Sequence, residues 1–136
     1  MRPNFRIHDV SCFPLVRLRN ASVRAGYAVN WALEMERLLA GNEPFVLINP
    51  PGHPEETHED FKTRGLWLKR NKEALAQLCC GLIGIEPDTE KRTAMQHRSE
   101  AATRAFGITQ RWVVDEQEAE AAARLLLRSA IREINQ

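Results

Sequence analysis

The chain lacks an excess of either charge, a long apolar run and a cysteine framework, and each absence removes a class of protein. Lys plus Arg number 19 against 18 Asp plus Glu, for a formal net charge of +1. The basic excess that drives non-specific nucleic-acid binding is missing, so no nucleic-acid partner is expected. No segment approaches the roughly 18 apolar residues of a membrane span, and the N-terminal "MRPNFRIHDVSCFPLVRLR" has no uninterrupted apolar stretch of signal-peptide length. A soluble, cytoplasmic protein without a membrane span is expected. The three cysteines are Cys12 and the adjacent Cys79 and Cys80. An odd count with one vicinal pair is neither a disulfide framework nor the two-plus-two spacing of a structural zinc site, so reduced, partly buried thiols are expected. No glycine-rich phosphate cradle or G-x-S-x-G elbow is present. No cofactor and no metal are expected.

What is present is apolar periodicity that changes repeatedly along 136 residues, the length of one ordinary domain. "FPLVRLR" (13–19) alternates as a strand would. Ala28, Trp31, Ala32, Met35, Leu38 and Leu39 then recur at helical spacing, with Ser22 a candidate N-cap and Gly41 the stop. "FVLI" (45–48) has the composition of a strand buried on both faces of a parallel sheet. A helix over 60–80, the strand "GLIGI" (81–85), a helix from about Asp88 to Phe106 stopped by Gly107, the strand "QRWVV" (110–114) and a helix capped by Asp115 complete the chain. In that last helix Ala119, Ala123, Leu126 and Ala130 form one stripe. This alternation predicts a single α/β domain over residues 1–136, with a mostly parallel sheet of four to five strands.

In such sheets ligands gather beyond the carboxyl ends of the strands. There the sequence places "NPPGHPEETHED" (49–60), with two histidines, four carboxylates and three prolines in twelve positions. Glu59 and Asp60 are explained as caps of the following helix, as are Asp88 and Asp115 of theirs. His53 and His58 lie five apart in a proline-broken segment, which denies them i,i+4 metal geometry; a metal site would need Glu56, Glu86 or His8 as a further ligand. Placed at 100° per residue, the following helix gathers Phe61, Trp67, Leu68, Leu75, Leu78 and Cys79 on one inward arc. Arg64 and Asn71 fall inside that arc. Asn71 is expected to bond to backbone across the helix–sheet contact, and Arg64 to hold a carboxylate of the loop or an anionic ligand. Leu66, on the charged face with Lys62, Arg70 and Glu73, and Val29 and Leu33, off the main stripe of the first helix, are candidate interface residues for a partner protein or a homodimer.

The succession of N-terminal strand, "FVLI", loop, helix, "GLIGI", helix, "QRWVV" and final helix resembles the anti-sigma-factor-antagonist (STAS, or SpoIIAA-like) fold over nearly the whole chain. "RGLWLKRNKEALAQLCCGLIGIEPD", followed by a helix, "AFGI" and a last strand and helix, is similar to small bacterial proteins of that type. The resemblance implies a non-catalytic regulatory module that binds a partner protein or, in one branch, an apolar or lipid-like ligand. Its regulatory branch carries a phosphorylatable D-S-type motif after the strand corresponding to "FVLI". Here the loop has no serine, and phosphate on Thr57 would meet Glu55, Glu56, Glu59 and Asp60 rather than arginines, so that switch is not carried over. The leading expectation is a binding module acting through Asn49, His53, Glu56, His58 and Arg64 on a partner or on an apolar or anionic small ligand. The alternative is a small enzyme using His53 or His58 with a nearby carboxylate as an acid/base pair.

Overall fold

The apolar run Phe45–Asn49 forms β3, the middle strand of a five-stranded sheet of order β1-β2-β3-β4-β5, in a computed structural model that describes residues 5–52 and 56–134. β2 (Leu15–Leu18), β3, β4 (Cys79–Ile85) and β5 (Gln110–Val113) are parallel, and β1 (His8–Cys12) joins β2 antiparallel. Helices alternate with the parallel strands: α1 (Ala28–Ala40), α2 (His58–Arg70), α3 (Lys72–Leu78), α4 (Thr89–Phe106) and α5 (Glu116–Ile134). The α/β class, the single mostly parallel sheet and the alternating helices agree with the sequence pattern. Among the described residues no helix is long and apolar enough to cross a membrane.

Pleat alternation sorts the core into two layers. Val16 and Phe45 point to one face, where they meet Trp31 and Met35 of α1, Trp67 of α2 and Leu75 of α3. Leu15, Val46, Ile48, Ile83 and Ile85 point to the other and meet Ala119, Ala123 and Leu127 of α5. The small residues of the α5 stripe let that helix lie close to the sheet.

Several local expectations are corrected. The first strand is preceded by β1, whose "HDVSC" carries too little apolar alternation to show itself and lies at the sheet's edge. Ser22 lies in a single 3-10 turn (Asn20–Ser22), and α1 starts only at Ala28. The helix expected over 60–80 is two helices. It breaks at Asn71, whose Nδ2 donates to the Trp67 carbonyl at 2.9 Å in its own helix rather than reaching the sheet. The inward arc holds across the break for Trp67, Leu68, Leu75, Leu78 and Cys79, which join one core cluster, and Phe61 alone departs from it. Phe61 is 62% exposed, and Cys79 and Cys80 open β4 instead of closing a helix. Burial pushes the Cys79 thiol up to about 12 and raises that of Cys80, while Cys12 is exposed.

The caps of the last two helices form as the sequence indicates. Asp88 accepts from the Lys91 N–H and Asp115 from the Glu118 N–H, each at 2.9 Å. Gly107, at φ +71°, ends α4 in the left-handed conformation that favours glycine.

α4 also protects the sheet's free edge. Gln96 Nε2 donates to the Gln110 carbonyl at 3.3 Å, and its Oε1 accepts from the Trp112 N–H at 3.1 Å, so one side-chain amide occupies groups a sixth strand would pair. Gln96→Leu is expected to lower stability by about 1–3 kcal/mol through the two orphaned backbone groups. It is also expected to increase self-association at high concentration. Urea melts and light scattering measure the two effects, and a variant as stable and as monodisperse as the parent rejects this role.

Candidate functional site

The loop after β3 and the first turns of α1 and α2 meet at the carboxyl edge of the sheet. Thr57 is the N-cap of α2: its Oγ1 accepts from the Asp60 N–H at 3.1 Å and donates to Asp60 Oδ2 at 2.9 Å. Asp60 does not serve the helix that contains it. Its carboxylate is buried and accepts from the Gly26 N–H at 2.8 Å and the Ala28 N–H at 3.1 Å, supplying the start of α1 with the acceptor Ser22 does not give. Burial alone would raise the Asp60 carboxyl. The Gly26 N–H, the Thr57 hydroxyl and the Ala28 N–H outweigh burial and hold it below its usual value. Glu59 is exposed.

With α1 and α2 locked together in this way, three side chains converge. Arg64 grips Glu56 with two donors, Nε to Oε2 at 2.5 Å and Nη2 to Oε1 at 2.8 Å, and the Tyr27 hydroxyl donates to the same Oε2. The Arg64 guanidinium holds the Glu56 carboxyl below the usual range, and Glu56 in return raises Arg64. Burial, with the carboxylate beside it, pushes the Tyr27 phenol up. The guanidinium also lies over the rings of Trp31, at 5.9 Å, and Phe61, at 6.0 Å. Arg64 therefore faces inward on the apolar arc because aromatic faces and a carboxylate replace its water.

Behind this trio lies a cavity of about 320 Å3 on the α1–α2 face of the sheet. Val16, Leu47 and Leu82 of the strands form its floor; Trp31 and Leu68 come from the helices and Trp112 from β5. Asn49, Glu56 and Arg64 are among the polar residues of its lining, with His8, Asn20 and Gln110. Ordinary interiors keep few voids larger than a water molecule, whereas small-ligand sites start at roughly 300 Å3.

His8, which lines the same cavity, belongs to a second polar cluster. Glu34 of α1, 4% exposed, accepts from three consecutive backbone N–H groups: Arg6 at 2.9 Å, Ile7 at 3.0 Å and His8 at 2.9 Å. It also meets Nδ1 of His8, itself 2% exposed, at 3.0 Å. Burial by itself would raise Glu34; the His8 ring and the three N–H groups overcome it and set the pKa at about 2.

Of the sequence candidates, Glu56 and Arg64 are brought together and Asn49 lines the same cavity. His58 is the exposed first residue of α2 and pairs with no described carboxylate, and His53 lies outside the described residues. His8 and Glu56, considered as metal ligands, are engaged instead by Glu34 and Arg64. Among the described residues no three His, Cys, Asp or Glu side chains are grouped as a metal would require. Val29, Leu33 and Leu66 are exposed. Glu34 and Tyr27 were missed. Glu34 had a visible signal, a carboxylate on the buried stripe between Trp31, Met35 and Leu38. Tyr27 had none, because its role depends on a loop 29 residues away.

The class these features define is an α/β domain with a ligand-sized, largely apolar cavity against one face of its sheet. No family model, curated protein or solved structure matches the chain.

Proposed function

We propose that the protein is a non-catalytic binding module whose cavity receives a small molecule with an apolar body and an anionic or strongly polar head at the Arg64 end. The observation that carries this reading is the cavity of about 320 Å3 with an aromatic-stacked guanidinium in its lining. The apolar lining supplies affinity, and a head group that competes with Glu56 for the Arg64 fork supplies orientation. The STAS-like resemblance belongs to the same proposal, since one branch of that fold takes apolar ligands.

Anilinonaphthalene sulfonate has this shape and charge. It is expected to bind saturably at one site with enhanced fluorescence, and Leu47→Trp, which fills the floor, is expected to abolish that binding while the protein stays folded. Arg64→Gln should weaken binding about tenfold through the lost charge-assisted contact. Undiminished fluorescence in Leu47→Trp rejects the cavity as the site.

A partner-protein or self-association role is supported by a different observation, the exposure of Val29, Leu33 and Leu66. If that surface joins two copies, Leu33→Glu and Leu66→Glu lower the mass seen in sedimentation. Identical sedimentation of parent and variants removes this second reading.

A further inference from the structure

We propose that His8, held by Glu34, is the polar anchor inside the cavity, and that it accepts a hydrogen bond from a hydroxyl on the ligand's apolar body. This inference rests on the ligand-binding reading and specifies which molecules fit. The ligand class becomes hydroxylated, predominantly apolar compounds, phenolic or sterol-like in character, rather than plain hydrocarbons.

The inference follows from how the dyad is built. The Glu34 carboxylate is fixed by the N–H groups of residues 6, 7 and 8, so it cannot turn toward a ligand. As an ionised acceptor it requires a proton on Nδ1 of His8, 3.0 Å away. In the neutral ring this tautomer leaves Nε2 as a lone-pair acceptor. Among the described residues Nε2 has no hydrogen-bond partner, and because no fully buried side-chain nitrogen or oxygen is left unpaired, Nε2 keeps a little accessible surface on a side chain that lines the cavity. An acceptor left open on a residue that lines a ligand-sized space suits a donor carried by the occupant.

The ring's position is fixed from its other sides as well. Phe5 meets it edge-on at 6.4 Å, and Trp31 lies tilted at 6.4 Å. Trp31 also carries the Arg64 guanidinium over its ring at 5.9 Å, so one indole separates the proposed hydroxyl acceptor from the head-group site.

The test compares 2-naphthol with 2-methylnaphthalene, which have nearly the same shape and differ by the hydroxyl. The wild-type protein, titrated by tryptophan fluorescence at neutral pH, is expected to bind 2-naphthol about tenfold more tightly. His8→Phe should remove that preference and keep the affinity for 2-methylnaphthalene. Should His8→Phe not fold, the wild-type Nε2 15N resonance decides: it is expected to shift with 2-naphthol and not with 2-methylnaphthalene. Equal binding of the two probes, a preference surviving in His8→Phe, or an unmoved Nε2 resonance overturns the anchor and leaves the cavity reading standing. Binding of neither probe overturns the anchor, and the cavity reading falls with it only if anilinonaphthalene sulfonate also fails to bind.

Discussion

Replacing Glu34 by Ala is expected to cost about 3–5 kcal/mol, a large share of the stability of a domain this size. The carboxylate is the acceptor for three consecutive backbone N–H groups and for the His8 ring, and Ile7 and His8 are themselves buried. Alanine offers none of these donors a replacement, and water cannot reach the buried Ile7 and His8 groups without opening the contact between the entry to β1 and α1. Glu34→Gln keeps one acceptor oxygen and should lose less, so the order of urea midpoints is expected to be parent, then Gln, then Ala. A loss below about 1 kcal/mol in the alanine variant, the worth of one ordinary hydrogen bond, would show that the chain before β1 does not depend on this anchor.

The same carboxylate gives the protein an acid limit of calculable sign. Its folded pKa, about 2, lies below the unfolded value of 4.5, so the folded state favours the ionised form. Its contribution is fully present above about pH 4.5 and is lost as pH falls from there toward 2. Glu34→Gln has no proton to take up. The stability gap between parent and Glu34→Gln should therefore be widest near neutrality and narrow progressively below pH 4.5. Denaturant midpoints at pH 7, 4 and 2.5 measure this, and a gap independent of pH contradicts it.

Gly84→Ala is the second large effect. Gly84 and Trp112 are directly paired across β4 and β5, and the indole folds over the glycine so closely that an added Cβ would lie 2.3 Å from Cζ3 of the ring. The Trp112 backbone is held by Gln96 and its side chain forms part of the cavity wall, so relief of the clash means pushing the indole away from its packed position. Overpacking of this kind is expected to cost about 1–3 kcal/mol. The double variant Gly84→Ala with Trp112→Ala should lose less than the sum of its single changes, because removing the ring removes the clash. Additive losses would show that the ring does not press on Gly84. The displaced indole should also change the cavity's shape, so weaker binding of anilinonaphthalene sulfonate by Gly84→Ala is expected alongside the stability loss.

The fold was legible where one element's own pattern suffices. "FVLI" is apolar at every position because the middle strand of a parallel sheet is covered on both sides, and the structure covers it with α1 to α3 and with α5. Asp88, Asp115 and Gly107 are local capping signals that act within a few residues, so they work as written. The reading failed where a partner distant in sequence decides. Asp60 looks like a cap of its own helix and caps another 32 residues earlier. Phe61 lies on the inward arc by periodicity yet is exposed, and Asn71 bonds back to the Trp67 carbonyl of its own helix. Part of the site was legible in the same sense. Arg64, polar on an apolar arc and one turn from an acidic loop, announced a carboxylate partner, and Glu56 is that partner.

By itself the sequence determined the α/β class, the parallel strands and the edge at which polar residues collect, because periodicity and capping are carried by neighbours along the chain. Only the tertiary structure decided that Tyr27, Glu56 and Arg64 meet, that Glu34 seizes His8, and that a cavity remains between them. Those facts arise from contacts 8 to 29 residues apart in sequence, for which no local propensity exists. A void follows from the summed volumes of every side chain around it, so it can be read only once those side chains have been packed.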